Sequence, residues 1–151
     1  MIEAEFISKF DDADAVDMSD TTTNITEENI KELHILADRY PQAQSAIIPM
    51  LHLVQSIDGK VSGEGVRHIA RILDLPEAVV LGVVTFYTMF HKEAVGKHLI
   101  GVCTTSLCAV MGGDMVYETV RKHLGLDGEG TTEDGAFTLE RVECNAACDF
   151  A

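Results

Sequence analysis

The chain has 151 residues, 46% of them hydrophobic, and carries 25 acids against 11 bases for a net charge of −14. That length allows one compact domain or two small ones. The charge excludes a general nucleic-acid binder, because neutralising phosphates needs clustered Lys and Arg.

No segment approaches the roughly 20 apolar residues of a spanning helix; the densest run, Ala78-Val-Val-Leu-Gly-Val-Val84, is far too short. The N-terminus lacks the basic and apolar regions of a secretory signal and is acidic where a transit peptide is Arg-rich. The chain is therefore expected to be intracellular, where thiols stay reduced and cysteine clusters favour metal over disulfides.

Residues 1–32 hold ten acids and two bases, so much of the charge is local. Residues 1–24, with Asp11, Asp12, Asp14, Asp17 and Asp20, read as an acidic mobile arm. Residues 25–95 read as a helical bundle. Thr26 caps a first helix whose apolar face is Ile30, Leu33, Leu36, Ala37 and Tyr40, and Pro41 ends it. A second helix is expected over Ala43–Ile57, with Pro49 starting or kinking a segment. His52, beside Leu51 and Leu53, reads as a packing residue. Asp58-Gly59 makes a turn, Ser62 caps a third helix, and Pro76 opens a fourth that runs to about Phe86. Four short helices with short connections predict an antiparallel bundle.

The pattern changes over residues 96–151. Lys97–Val102 predicts a strand, and Asp114–Leu124 a helix with Val116, Val120 and Leu124 inside. Glycines punctuate a loop before a second strand over Ala136–Val142. Gly112-Gly113 reads as a plain turn, since a phosphate cradle needs further glycines and a Lys-Ser/Thr.

All four cysteines lie here, as Cys103-x4-Cys108 and Cys144-x3-Cys148 with 35 residues between the pairs. Each pair directly follows a predicted strand, so neighbouring strands would deliver both to one end of a sheet. Four thiolates complete either a [2Fe–2S] cluster or a tetrahedral zinc site. Zinc knuckles prefer tight spacing, and Thr104, Thr105 and Ser106 offer hydrogen bonds to cluster sulfurs. Spacing leaves iron–sulfur, zinc and disulfide all open. Of the six histidines only His98 lies near a cysteine pair in sequence, and Rieske-type ligation needs two.

These spacings, with Gly82-Val-Val-Thr-Phe-Tyr-Thr-Met-Phe90, Val95-Gly-Lys-His98, Val102-Cys-Thr-Thr105, Thr131-Thr-Glu-Asp-Gly-Ala-Phe-Thr-Leu139 and Val142-Glu-Cys144, carry a family resemblance. Tyr40-Pro41, Gln44-Ser-Ala46 and Leu51-His-Leu-Val-Gln55 add to it. From about residue 25 to 150 the chain resembles the 24-kDa (E) subunits of respiratory NADH:quinone oxidoreductase, complex I.

The resemblance implies an α+β architecture, a helical N-terminal bundle followed by a thioredoxin-like [2Fe–2S] ferredoxin domain. It implies that Cys103 and Cys108 bind one iron and Cys144 and Cys148 the other, with no catalytic residue. The implied role is electron transfer, without catalysis in its own right, beside a flavin- and NADH-binding subunit and other peripheral-arm subunits. The implied location is the inner face of a bacterial cell membrane. Related subunits serve NAD-linked hydrogenases and formate dehydrogenases; a structural zinc module is the rival from another class.

The chain departs from the family at Leu107, where many members carry Pro, and at Asn145-Ala146, where they carry Leu-Gly. Ala disfavours left-handed backbone, so the second ligand loop is expected to differ. The family also continues past Cys148 with two further strands, so a C-terminally truncated domain with an open sheet edge is expected.

Overall fold

The computed structural model describes residues 16–150. The chain divides into two compact units, one ending at Ala94 and the other beginning at Val95.

Among the described residues of the first unit there are four α-helices: α1 (Glu27–Ala37), α2 (Ile47–Asp58), α3 (Gly63–Leu73) and α4 (Glu77–Phe86). Their ends follow local chemistry. Thr26 and Asn29 form a reciprocal capping box on α1. The expected Ala43–Ile57 helix divides into a 3-10 turn (Ala43–Ala46) and α2, which leaves Pro49 in the first turn of α2, where its missing N–H costs nothing. Gly59, at φ 75°, closes α2. Ser62 caps α3 by accepting from Gly65 N–H at 3.0 Å, and Pro76 precedes the first residue of α4.

The helices enclose Leu33, Met50, Leu51, Val54, Val66, Ile69, Val80 and Val84, with Phe90 laid on them from beyond α4. Gly65 lets α3 approach α2 closely. A Cβ there would lie 2.3 Å from Val54 Cγ1, and Val54 is a buried, rotamer-restricted side chain. Gly65→Ala is therefore expected to destabilise this unit by about 1–3 kcal/mol, less some gain in helix propensity, measured by urea unfolding. His52 is exposed, with its ring tilted against Phe90 at 5.0 Å; it is not a core residue.

Of the expected mobile arm, residues 1–15 lie outside the described residues. Residues 16–24 depart from that expectation. Val16 is only 7% exposed and belongs to the helical core. Asp20 pairs with Lys60 at 3.1 Å, and the Asp58 carboxylate accepts from Thr23 Oγ1 at 2.8 Å and from Asn24 N–H at 2.7 Å. The Met18 carbonyl accepts from Arg67. The arm's described acids are individually partnered, Asp17 by Ser19 and Asp20 by Thr22 and Lys60; hydrogen bonds from Thr22, then Lys60, hold the Asp20 carboxyl down at about 2.

The second unit holds a three-stranded sheet in the order β1 (His98–Cys103), β3 (Phe137–Val142), β2 (Gly130–Thr131). β1 and β3 are parallel, so the chain between them must cross over, and it does so through α5 (Ser106–Met111) and α6 (Gly113–Leu124). β2 pairs antiparallel with β3. Among the described residues β1 pairs with β3 alone, leaving its outer edge unpaired.

Val102, Tyr117 and Leu139 form the small core, with Ile100, Val120, Leu124 and Leu126 around it. Val116, expected inside, is 52% exposed; Tyr117 turns inward in its place and is only 4% exposed. Gly96 runs so close to β3 that a Cβ would sit 2.8 Å from the Phe137 carbonyl carbon. Its N–H donates to Thr138 Oγ1 at 2.6 Å. The fold class is α+β: a unit whose described elements are helical, followed by one that carries the sheet.

Candidate metal centre

The parallel register places Cys103 opposite Val142, two residues before Cys144. Both cysteine pairs therefore emerge at the same end of β1 and β3. Cys103 ends β1, Cys108 lies in α5, and Cys144 and Cys148 follow β3, Cys148 opening a 3-10 turn. All four are free thiols; Cys103 and Cys108 are half-buried, Cys144 and Cys148 exposed. His98 is at the other end of β1, about 16 Å away by strand rise, with its ring against Phe137.

Two of the sulfurs have hydrogen-bond partners. Cys103 Sγ lies 3.2 Å from Thr105 Oγ1, and Ala146 N–H donates to Cys144 Sγ at 3.3 Å. The Thr105 hydroxyl, its N–H and the Cys108 thiol bring the Cys103 thiol down to about 7, with a smaller contribution from the Asn145 N–H of the second loop. Cys108 moves the other way, raised by its hydrogen bond to Cys103, by burial, and by the nearby Cys148 and Cys144. The two adjacent thiols share one hydrogen bond, which draws the Cys103 thiol down and pushes the Cys108 thiol up, so they titrate as a pair.

Gly112 and Gly113 do more than turn the chain. Gly112, at φ 106°, ends α5 and precedes α6. A Cβ on Gly113 would sit 2.6 Å from the Cys103 carbonyl oxygen and 2.9 Å from that of Cys108. The bare α-carbon lets α6 press against the first cysteine loop. A 260 Å³ cavity opens there, lined by Cys103, Cys108, Met111, Gly113 and Val116.

Ala146 adopts φ 52°. The loop thus takes the left-handed geometry that an alanine was expected to resist. For an L-residue this costs about 1 kcal/mol, which its loop contacts must offset. The double glycine was visible in the sequence, but its contact with Cys103 and Cys108 was not. That Ala146 keeps a left-handed turn was not visible there either.

Four soft thiolates, hydrogen-bond donors aimed at two of them, and a glycine that lets a helix press against one loop fit an iron–sulfur cluster. Among the described residues no three His, Cys, Asp or Glu side chains converge on a single ion position. A two-iron cluster asks only two thiolates of each iron, because bridging sulfides complete the coordination.

Comparison with known proteins agrees. The family model for thioredoxin-like [2Fe–2S] ferredoxins matches residues 33–151. The chain is 49% identical over 113 residues to the E subunit of NADH-quinone oxidoreductase from Mycobacterium tuberculosis, covering 75% of this chain and 45% of that protein. It is 37% identical over 136 residues to the corresponding E subunit from Rickettsia conorii, covering 87% of this chain and 81% of the relative. For the E 2 subunit of the Rhizobium meliloti oxidoreductase the identity is 36% over 121 residues, with 80% and 72% covered. The chain thus spans less than half the length of the mycobacterial relative. With a family match across most of its length and cysteines gathered at one sheet end, the chain belongs to the thioredoxin-like [2Fe–2S] ferredoxins, in the family of NADH-quinone oxidoreductase E subunits.

Proposed function

We propose that the chain is the electron-transfer subunit of an NADH:quinone oxidoreductase, with Cys103 and Cys108 on one iron of a [2Fe–2S] cluster and Cys144 and Cys148 on the other. The observation that carries this reading is the β1–β3 register, which delivers two thiol pairs to one end of a parallel sheet. When bound, the cluster supplies one-electron storage.

The chain's own residues do the rest. Four thiolates hold the irons, and the Thr105 hydroxyl and Ala146 N–H stabilise negative charge on two ligand sulfurs. The net charge of −14 opposes added negative charge and makes reduction harder. No Gly-x-Gly-x-x-Gly follows a strand, so the dinucleotide site belongs on another subunit. NADH gives up a hydride, and a flavin must divide it into single electrons. The partners on this reading are the flavin- and NADH-binding subunit and other peripheral-arm subunits. Among the described residues no helix is long and apolar enough to cross a membrane. The site of action on this reading is the inner face of the cell membrane, reached through the complex.

The purified full chain is expected to contain two irons and two acid-labile sulfides and to give a rhombic electron-spin signal on reduction. One zinc and no sulfide would replace the assignment with a structural zinc module. Dithionite should bleach the visible absorbance, whereas NADH alone should leave it unchanged until the flavin subunit is added. Bleaching by NADH in the absence of any flavoprotein would overturn the relay reading.

A further inference from the structure

Two non-glycine residues among those described have a positive φ, Asp74 and Ala146. Asp74 has a local reason: it ends α3, and its N–H bonds to the carbonyls of Ala70 and Arg71. Ala146 caps no helix. Its N–H goes instead to Cys144 Sγ, at 3.3 Å. A backbone conformation that L-residues avoid serves here to aim one donor at one sulfur.

We propose that Ala146 is a positioning residue for the cluster: by holding a left-handed turn it keeps its N–H on Cys144 Sγ and so raises the reduction potential. The inference rests on the reading of Cys144 as a ligand. Reduction adds an electron whose charge spreads onto the sulfurs, and a donor fixed on a ligand sulfur stabilises that charge more in the reduced state than in the oxidised one. The side chain of residue 146 is not what matters; its backbone N–H and its φ are.

The test compares two variants of the full, cluster-loaded chain with the wild type by redox titration, following visible absorbance and the electron-spin signal. In the first, lactate replaces Ala146, so that an ester oxygen stands in place of the N–H while the methyl group remains. The second is Ala146→Gly, which retains the donor and adopts the left-handed turn without a Cβ penalty. The ester variant is expected to hold its electron about tenfold more weakly, a midpoint lower by about 59 mV for a one-electron couple. Ala146→Gly is expected to remain within about twofold of wild type, because the donor is unchanged. An ester variant with wild-type potential, or a glycine variant that falls as far as the ester, overturns the proposal. Cys144→Ser serves as the control for the underlying reading. If it keeps a complete cluster, Cys144 is not a ligand and both readings fall. If it loses the cluster while the ester variant titrates like wild type, only the role of Ala146 falls.

Discussion

Cys103→Ser and Cys144→Ser are each expected to reduce iron from two atoms per chain to a small fraction of that, with parallel loss of visible absorbance. A serine hydroxyl is a hard donor that stays protonated near neutral pH, so it replaces a soft anionic ligand with a neutral, poorly matched one. Cys103 should be the more sensitive, because Thr105 already stabilises its thiolate and the serine variant forfeits that preparation. Neither sulfur belongs to the Val102–Tyr117–Leu139 core, so the fold should survive. Far-ultraviolet circular dichroism close to wild type, together with lost iron, separates ligand loss from unfolding. Unchanged iron in either variant would remove that residue from the ligand set.

Gly113→Ala is expected to damage the same site from outside the ligand set. The added methyl would meet the carbonyl oxygens of Cys103 and Cys108 at 2.6 and 2.9 Å and the Cys108 carbonyl carbon at 3.2 Å. These are backbone atoms and cannot rotate away, so either α6 or the first cysteine loop must move. Overpacking of this kind costs about 1–3 kcal/mol. Displacing the loop should lower iron retention several-fold during dialysis against a chelator. Gly128→Ala is the matched control, since nothing lies within 4 Å of its added Cβ. Equal iron retention in the two variants would show that the loop yields without disturbing its ligands.

The helical unit was legible because its signals are local. Thr26, Ser62, Pro49, Gly59 and Pro76 each act on the turn they occupy: four of them flank helix ends, and Pro49 lies in the first turn of α2. In the second unit the long elements were readable and the short ones were not. α5, Ser-Leu-Cys-Ala-Val-Met, buries no residue and shows no amphipathic face, and β2 is only two residues long. Val116 and Tyr117 are neighbours on α6, so a period of 3.6 residues does not decide between them when the core is small. Tyr117 faces inward, with Arg141 stacked on its ring at 3.9 Å, a contact supplied by β3.

The amino-acid sequence alone determined the chemistry available: four thiols in two pairs, no Rieske-type histidine arrangement, and the family these spacings resemble. Residue type and spacing are sufficient for that, because a thiolate is a soft donor suited to iron whichever fold presents it. Only the tertiary structure decided that Val16 to Asn24 lie along the helices, that Gly113 presses on the first cysteine loop, and that Ala146 turns left-handed to reach Cys144. Each depends on groups brought together by packing or by loop closure. Val16 meets a core built from later helices, Gly113 meets the carbonyls of the preceding loop, and the turn at Ala146 holds only while its own loop overcomes the local preference against it.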